Sequence, residues 1–200
     1  MRCKVLLLTT AVTLAIALAT PASAEIVYTQ VRVSLSTNGA YQIDLDGDGV
    51  ADFSITSKLM QAYCQAGDQY IWSLTVAPAA RDGVAVDSSQ AGNPLASALV
   101  IGVRVGSNPS FASTQSLMAE MFWGSCGTGS TGEWLNLPNR YLGLQFYAAD
   151  HKLHYGWAKV STVAYVDQHG NLQTSTAVSG FAYETIPGQS ILTGQTVETP

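Results

Sequence analysis

Asp44, Asp46, Asp48 and Asp52 stand in the run Asp44-Leu45-Asp46-Gly47-Asp48-Gly49-Val50-Ala51-Asp52. Their chemistry is that of hard oxygen donors. Calcium takes about six to eight oxygens at about 2.3–2.6 Å, and a short loop supplies them only if alternate side chains converge. Asp44, Asp46 and Asp48 fill positions one, three and five of such a loop, and Gly49 at position six allows the chain to turn sharply. The carbonyl of Val50 falls at position seven and the carboxylate of Asp52 at position nine. With no cation, close carboxylates repel by roughly 1 kcal/mol per pair in near-aqueous surroundings. The pattern therefore predicts a calcium site, structural rather than catalytic, because the loop carries no nucleophile.

The loop is not an EF-hand. Position twelve, which should be a bidentate acid, is Ile55, and the flanks Tyr41-Gln42-Ile43 and Phe53-Ser54-Ile55-Thr56 alternate like strands. Asp-x-Asp-x-Asp-Gly-x-x-Asp followed by an apolar residue resembles the calcium loops of FG-GAP repeats in integrin-type propellers. That resemblance implies Asp44, Asp46, Asp48 and Asp52 as side-chain ligands in a hairpin loop. The motif occurs once, so a propeller is not implied.

Other constellations are weaker. His151 and His154 form His-x-x-His, but in a strand they point to opposite faces, which favours separate roles. Glu133 beside Trp134, with Tyr155 and Trp157, makes a candidate ligand surface for sugar rings; core packing is the competing use of these aromatics. Glu120, Glu133, Asp150 and Glu184 are the acids from which a glycosidase pair would have to come. No Gly-x-Ser-x-Gly elbow or phosphate-binding loop is present.

The start of the chain reads as an export signal: basic Arg2 and Lys4, apolar Val5 to Ala19, and a cleavage site at Ala22-Ser23-Ala24. Residues 25–200 then form one domain, expected in the periplasm or outside the cell, with no transmembrane anchor in the mature chain. Removing Arg2 and Lys4 from a chain of net charge −5 makes it more acidic still, and no basic stripe would attract nucleic acid. Cys3 leaves with the signal, and Cys64 with Cys126 are expected to form a disulfide in an oxidising compartment.

The elements that position these residues read as strands. Val31, Val33 and Leu35 alternate with polar residues, and a strand over 70–76 places Tyr70, Trp72, Leu74 and Val76 on one face. Leu99 to Val105 is continuously apolar at its start and predicts a central, doubly covered strand. Tyr141–Ala148, Lys152–Val166, Asn171–Val178 and Gly180–Thr185 follow, with a hairpin turn at 167–171. Short helices are expected at Ser57–Ala66 and Thr114–Phe122. The fold class is all-β: a single-domain, mostly antiparallel, jelly-roll-like β-sandwich, with a barrel as the alternative.

Tyr141-Leu142-Gly143-Leu144-Gln145-Phe146, His154-Tyr155-Gly156-Trp157-Ala158, Phe181-Ala182-Tyr183-Glu184 and Pro187-Gly188-Gln189-Ser190-Ile191 together resemble a group of exported bacterial proteins. Many of these carry a PEP-CTERM sorting tail. The residues up to Pro200 show neither the Pro-Glu-Pro motif nor the hydrophobic and basic segments of that tail. The resemblance implies export and β-structure and supplies no catalytic residue. The function expected is a non-catalytic calcium-binding module that binds polysaccharide or extracellular matrix. A carbohydrate hydrolase using a Glu/Asp pair and a purely structural matrix protein are the alternatives.

Overall fold

The computed structural model describes residues 25–86, 94–107 and 110–197. The segment expected to be an export signal, 1–24 with Cys3, lies outside the described residues, as do residues 198–200.

Two antiparallel sheets carry the fold. The first runs in the order β1 (Ile26–Leu35), β12 (Leu172–Glu184), β11 (Leu153–Val166), β10 (Arg140–Tyr147), β5 (Gly83–Val86), β7 (Ser110–Ala112). The second runs β2 (Ala40–Ile43), β3 (Phe53–Cys64), β4 (Gly67–Pro78), β8 (Ser116–Gly124), β9 (Gly129–Thr131). A short ribbon pairs β6 (Arg104–Val105) with β13 (Ile191–Leu192). The described strands leave β1, β7, β2 and β9 as open edges, so the architecture is a sandwich and not a closed barrel.

Alternation explains the main core. Phe53 and Ile55 on β3, and Trp72, Leu74 and Val76 on β4, are buried from one sheet. Leu142, Leu144 and Phe146 on β10, Val160 on β11 and Val178 on β12 meet them from the other. A second cluster lies on the far face of the first sheet, where Tyr141, Tyr155 and Trp157 pack with Ile26, Val105 and Ile191. Strands β10 and β11 are thus covered on both sides.

Three sequence expectations give way here. The doubly covered strand is not Leu99–Val105. That segment lies over Tyr141 through the Leu99↔Tyr141 bridge, turns at Ile101-Gly102, and reaches strand geometry only at Arg104–Val105. Neither expected helix forms. Ser57–Cys64 continues β3, whose pairing with β4 runs unbroken from Phe53↔Pro78 to Cys64↔Gly67. The ladder outweighs the helix propensity of Lys58, Leu59, Met60 and Gln61. Residues 116–124 form β8, where a bulge explains the misleading pattern. Leu74 pairs with Ala119 and Thr75 with Leu117, leaving Met118 as the extra residue. Met118 and Ala119 are therefore both buried, and the apolar spacing departs from two.

The Cys64–Cys126 disulfide is present, with Cα atoms 6.4 Å apart and a sequence separation of 62. It joins the β3–β4 turn to the loop after β8. Gln69 works beside it: its Oε1 accepts the Cys126 N–H and its Nε2 donates to Gly127 O.

Two buried groups lack partners among the described residues. Thr162 and Thr176 face each other across β11 and β12, and neither hydroxyl makes a hydrogen bond. An unsatisfied buried hydroxyl costs about 1–3 kcal/mol, whereas an apolar group of the same shape does not. Thr176→Val is expected to raise stability by about 1 kcal/mol, read as a higher denaturation midpoint at unchanged m-value. A lower midpoint would mean that the hydroxyl has a partner in solution.

Candidate metal centre

The β2–β3 hairpin sets up the acidic loop. Ile43 pairs with Phe53, and Asp52 N–H donates to Ile43 O, so the chain leaves and re-enters the sheet at one place. Leu45 is buried beneath the loop and anchors it to the core. Gly47 and Gly49 have φ of 74° and 90°, the left-handed region that lets the backbone curl inward.

Within this curl, one carboxylate oxygen each of Asp44, Asp46 and Asp48 lies within 4.8 Å of the others. Oxygens on opposite sides of a calcium ion stand about 4.6–5.2 Å apart, so the three donors have a spacing that such an ion can span. They are also tied down by backbone. Asp44 accepts from Gly47 N–H (2.8 Å) and Gly49 N–H (2.9 Å), and Asp48 accepts from Val50 N–H (2.7 Å). Asp46 reaches across to the other sheet, where its Oδ2 accepts the Ala149 N–H at 2.7 Å in the β10–β11 turn. Each carboxylate oxygen keeps a lone pair beyond these bonds. Donor type and spacing fit a hard divalent cation held by Asp44, Asp46 and Asp48.

Asp52 sits differently. Its side chain is buried and its Oδ2 accepts the Leu45 N–H at 2.7 Å, bracing the loop from inside. Val50 is exposed at the loop tip. Asp82, which the sequence reading did not single out, braces the same end: buried after β4, it accepts the Tyr147 N–H at 3.0 Å. Arg81 beside it lies over the Tyr147 ring at 4.0 Å.

Crowding of negative charge shows in these acids. Burial pushes the Asp52 carboxyl up to about 7, with the Leu45 N–H opposing and Asp46, Asp82 and Asp44 adding repulsion. Burial also raises Asp82, against the Tyr147 N–H and Arg81, and Asp46 adds to the rise.

A cavity of about 250 Å³ adjoins the loop, lined by Asp46, Asp150, His154 and Tyr183 among others. His154 is buried; its Nδ1 faces Glu184 O at 2.8 Å and its Nε2 faces Asp150 Oδ1 at 3.2 Å. A carbonyl oxygen can only accept, so Nδ1 carries a proton. The Lys152 N–H, then His154, holds Asp150 below the usual carboxylate range. His151 is exposed in the turn, so the two histidines do not converge.

The remaining acids are dispersed. Glu120 lines a separate cavity with Ser73 and Thr75, and Glu133 accepts the Ala98 N–H. Glu184 is buried and accepts from Ile186 N–H and Gln189 Nε2. Three of the four residues of the candidate ligand surface are buried. Trp134, Trp157 and Tyr155 are all core residues, and Trp134 and Trp157 donate their Nε1 hydrogens to Ala96 O and Gln195 O. Only Glu133 of that set is exposed.

Asp52 supplies a pH test. Its folded pKa lies above its unfolded value, so the folded state binds the extra proton between the two. Stability is then highest below about pH 4 for this group and falls as pH rises toward about 7. In chelator, the melting temperature should fall between about pH 4 and about pH 7, by about 2–4 °C per kcal/mol lost. Asp52→Asn should flatten this slope; an unchanged slope in the variant would show that Asp52 does not titrate in this range.

Comparison with protein-family models, with curated proteins and with solved structures found no match for this chain.

Proposed function

We propose that this chain is an exported, non-catalytic module in which calcium fastens the two sheets at one end, and that it binds extracellular polysaccharide or matrix. The observation that carries this reading is the convergence of Asp44, Asp46 and Asp48 where the β2–β3 loop meets the β10–β11 turn. A divalent ion there would neutralise three carboxylates and relieve the repulsion felt by Asp52 and Asp82. Because Asp46 also binds Ala149, stiffening the loop would stiffen the contact between sheets.

The order of acids in the loop resembles that of FG-GAP calcium loops, and the C-terminal half resembles the region that precedes PEP-CTERM tails in exported bacterial proteins. An oxidising compartment outside the cytoplasm accords with the disulfide. Among the described residues no helix is long and apolar enough to cross a membrane. The hydrolase alternative loses support from the dispersal of its acids. Glu120 and Asp150 line different cavities, and the Glu133 and Glu184 carboxylates are engaged by backbone N–H groups.

The test is thermal unfolding of the protein in calcium and in chelator. Millimolar calcium is expected to raise the melting temperature by several degrees, since a ligand at about 100 times its Kd adds about 2.7 kcal/mol. Asp48→Ala should remove the shift. An equal melting temperature in both buffers for the wild type would sink the calcium assignment.

A further inference from the structure

The other end of the sandwich holds a groove of about 650 Å³. Strand β11 runs from the turn beside the acidic loop to the turn at 167–171, so the two sites lie at opposite ends of one strand. Leu59, Tyr70 and Trp123 line the groove from β3, β4 and β8. Leu172 and the turn residues His169 and Asn171 line it from the first sheet. Tyr70 follows the same face of β4 as Trp72, Leu74 and Val76, but those are fully buried and Tyr70 is only half-buried. The inter-sheet space therefore opens here.

Three features define what it would accept. Tyr70 and Trp123 stack at 5.6 Å between centroids and 21° between planes, forming an aromatic wall. Trp123 is 8% exposed, yet its Nε1 meets no acceptor among the described residues. Trp72, Trp134 and Trp157 all donate theirs, to Ser57 Oγ, Ala96 O and Gln195 O. That nitrogen is not one of the fully buried unpartnered atoms, so it is open to water or a ligand. Finally, the lining contains no Lys, Arg, Asp or Glu; its polar groups come from Thr37, His169 and Asn171. An anionic ligand would meet no fixed counter-charge there.

We infer that the groove is a binding site for a neutral saccharide. A pyranose has apolar C–H faces that can lie against an aromatic wall and a rim of hydroxyls that both donate and accept. The volume falls within the range of small-ligand sites, roughly 300–1,000 Å³. The inference deepens the polysaccharide-binding reading and rests on it, but it is independent of calcium. The disulfide and Gln69 hold the start of β4 against the end of β8, next to Tyr70 and Trp123. The wall is thereby preorganised for a ligand.

The test is titration of the full chain with neutral hexasaccharides of glucose, mannose and xylose, and with an oligogalacturonate as the anionic control. Binding is read by calorimetry and tryptophan fluorescence, in calcium and in chelator. A neutral hexasaccharide should bind and perturb the fluorescence, and the oligogalacturonate should not. Trp123→Ala should weaken binding about tenfold or more, with Trp123→Phe between it and the wild type. Asn171→Ala, on an exposed turn outside the core, should weaken it several-fold at an unchanged melting temperature. Failure of every neutral saccharide would overturn both this site and the polysaccharide reading. Binding that survives both Trp123→Ala and Asn171→Ala would overturn the site alone. Loss of the calcium shift with saccharide binding intact would leave the groove standing and remove only the metal.

Discussion

Carboxylates crowded at one end of the sandwich are held in place by backbone N–H groups, and the meeting of the two sheets there depends on those bonds. Asp46 accepts from Ala149, Asp82 from Tyr147 and Asp52 from Leu45. The first two cross from one sheet or its connection to the β10–β11 hairpin. A carboxylate that accepts an amide hydrogen bond forms a stronger link than a neutral side chain would. The same choice concentrates negative charge where burial already opposes ionisation, as Asp52 and Asp82 record. Electrostatic tension and mechanical linkage thus arise from one set of residues, and a cation would relieve the first without weakening the second.

The opposite end is secured by other means. There a disulfide and the Gln69 amide bind the β3–β4 turn to the loop after β8. Neither arrangement depends on hydrophobic contact between the sheets, which leaves that end free to open around Tyr70 and Trp123. The largest fully buried side chains, among them Trp72, Trp134 and Phe146, lie where the layers close fully. Fastening and opening can coexist because the staple connects strands within one sheet instead of bridging the gap.

The acidic loop was legible in the sequence because its chemistry is local: spacing and glycine placement lie within nine residues. The disulfide was legible because only two cysteines, Cys64 and Cys126, lie in residues 25–200. Strands β4, β10 and β11, and the first four residues of β3, showed in the sequence. What did not show depends on register. Met118 as a bulge residue makes β8 look helical, and only pairing with Leu74 and Thr75 reveals the strand. Trp123 then fell just past the helix expected over Thr114–Phe122, so its place opposite Tyr70 could not be read. Trp134 and Trp157 misled in the other direction. An aromatic beside a glutamate looks like a sugar platform until Ala96 O and Gln195 O are seen to take the indole hydrogens. Asp82 carried no motif; its role exists only because Tyr147 lies within reach.

The pairing of β1 with β12 also governs the order in which the molecule can be completed. Ile26 lies opposite Glu184, and Leu35 opposite Thr176, so the earliest strand to be synthesised waits for one of the last. Until then its amide and carbonyl edge has no partner within the first sheet. The β3–β4 hairpin, by contrast, can form as soon as Pro78 has emerged. Such a gap between local and distant pairing slows closure and prolongs the exposure of strand edges. A chain halted anywhere before Leu172 would carry a ten-residue adhesive strand at its head, open to pairing with another copy of itself.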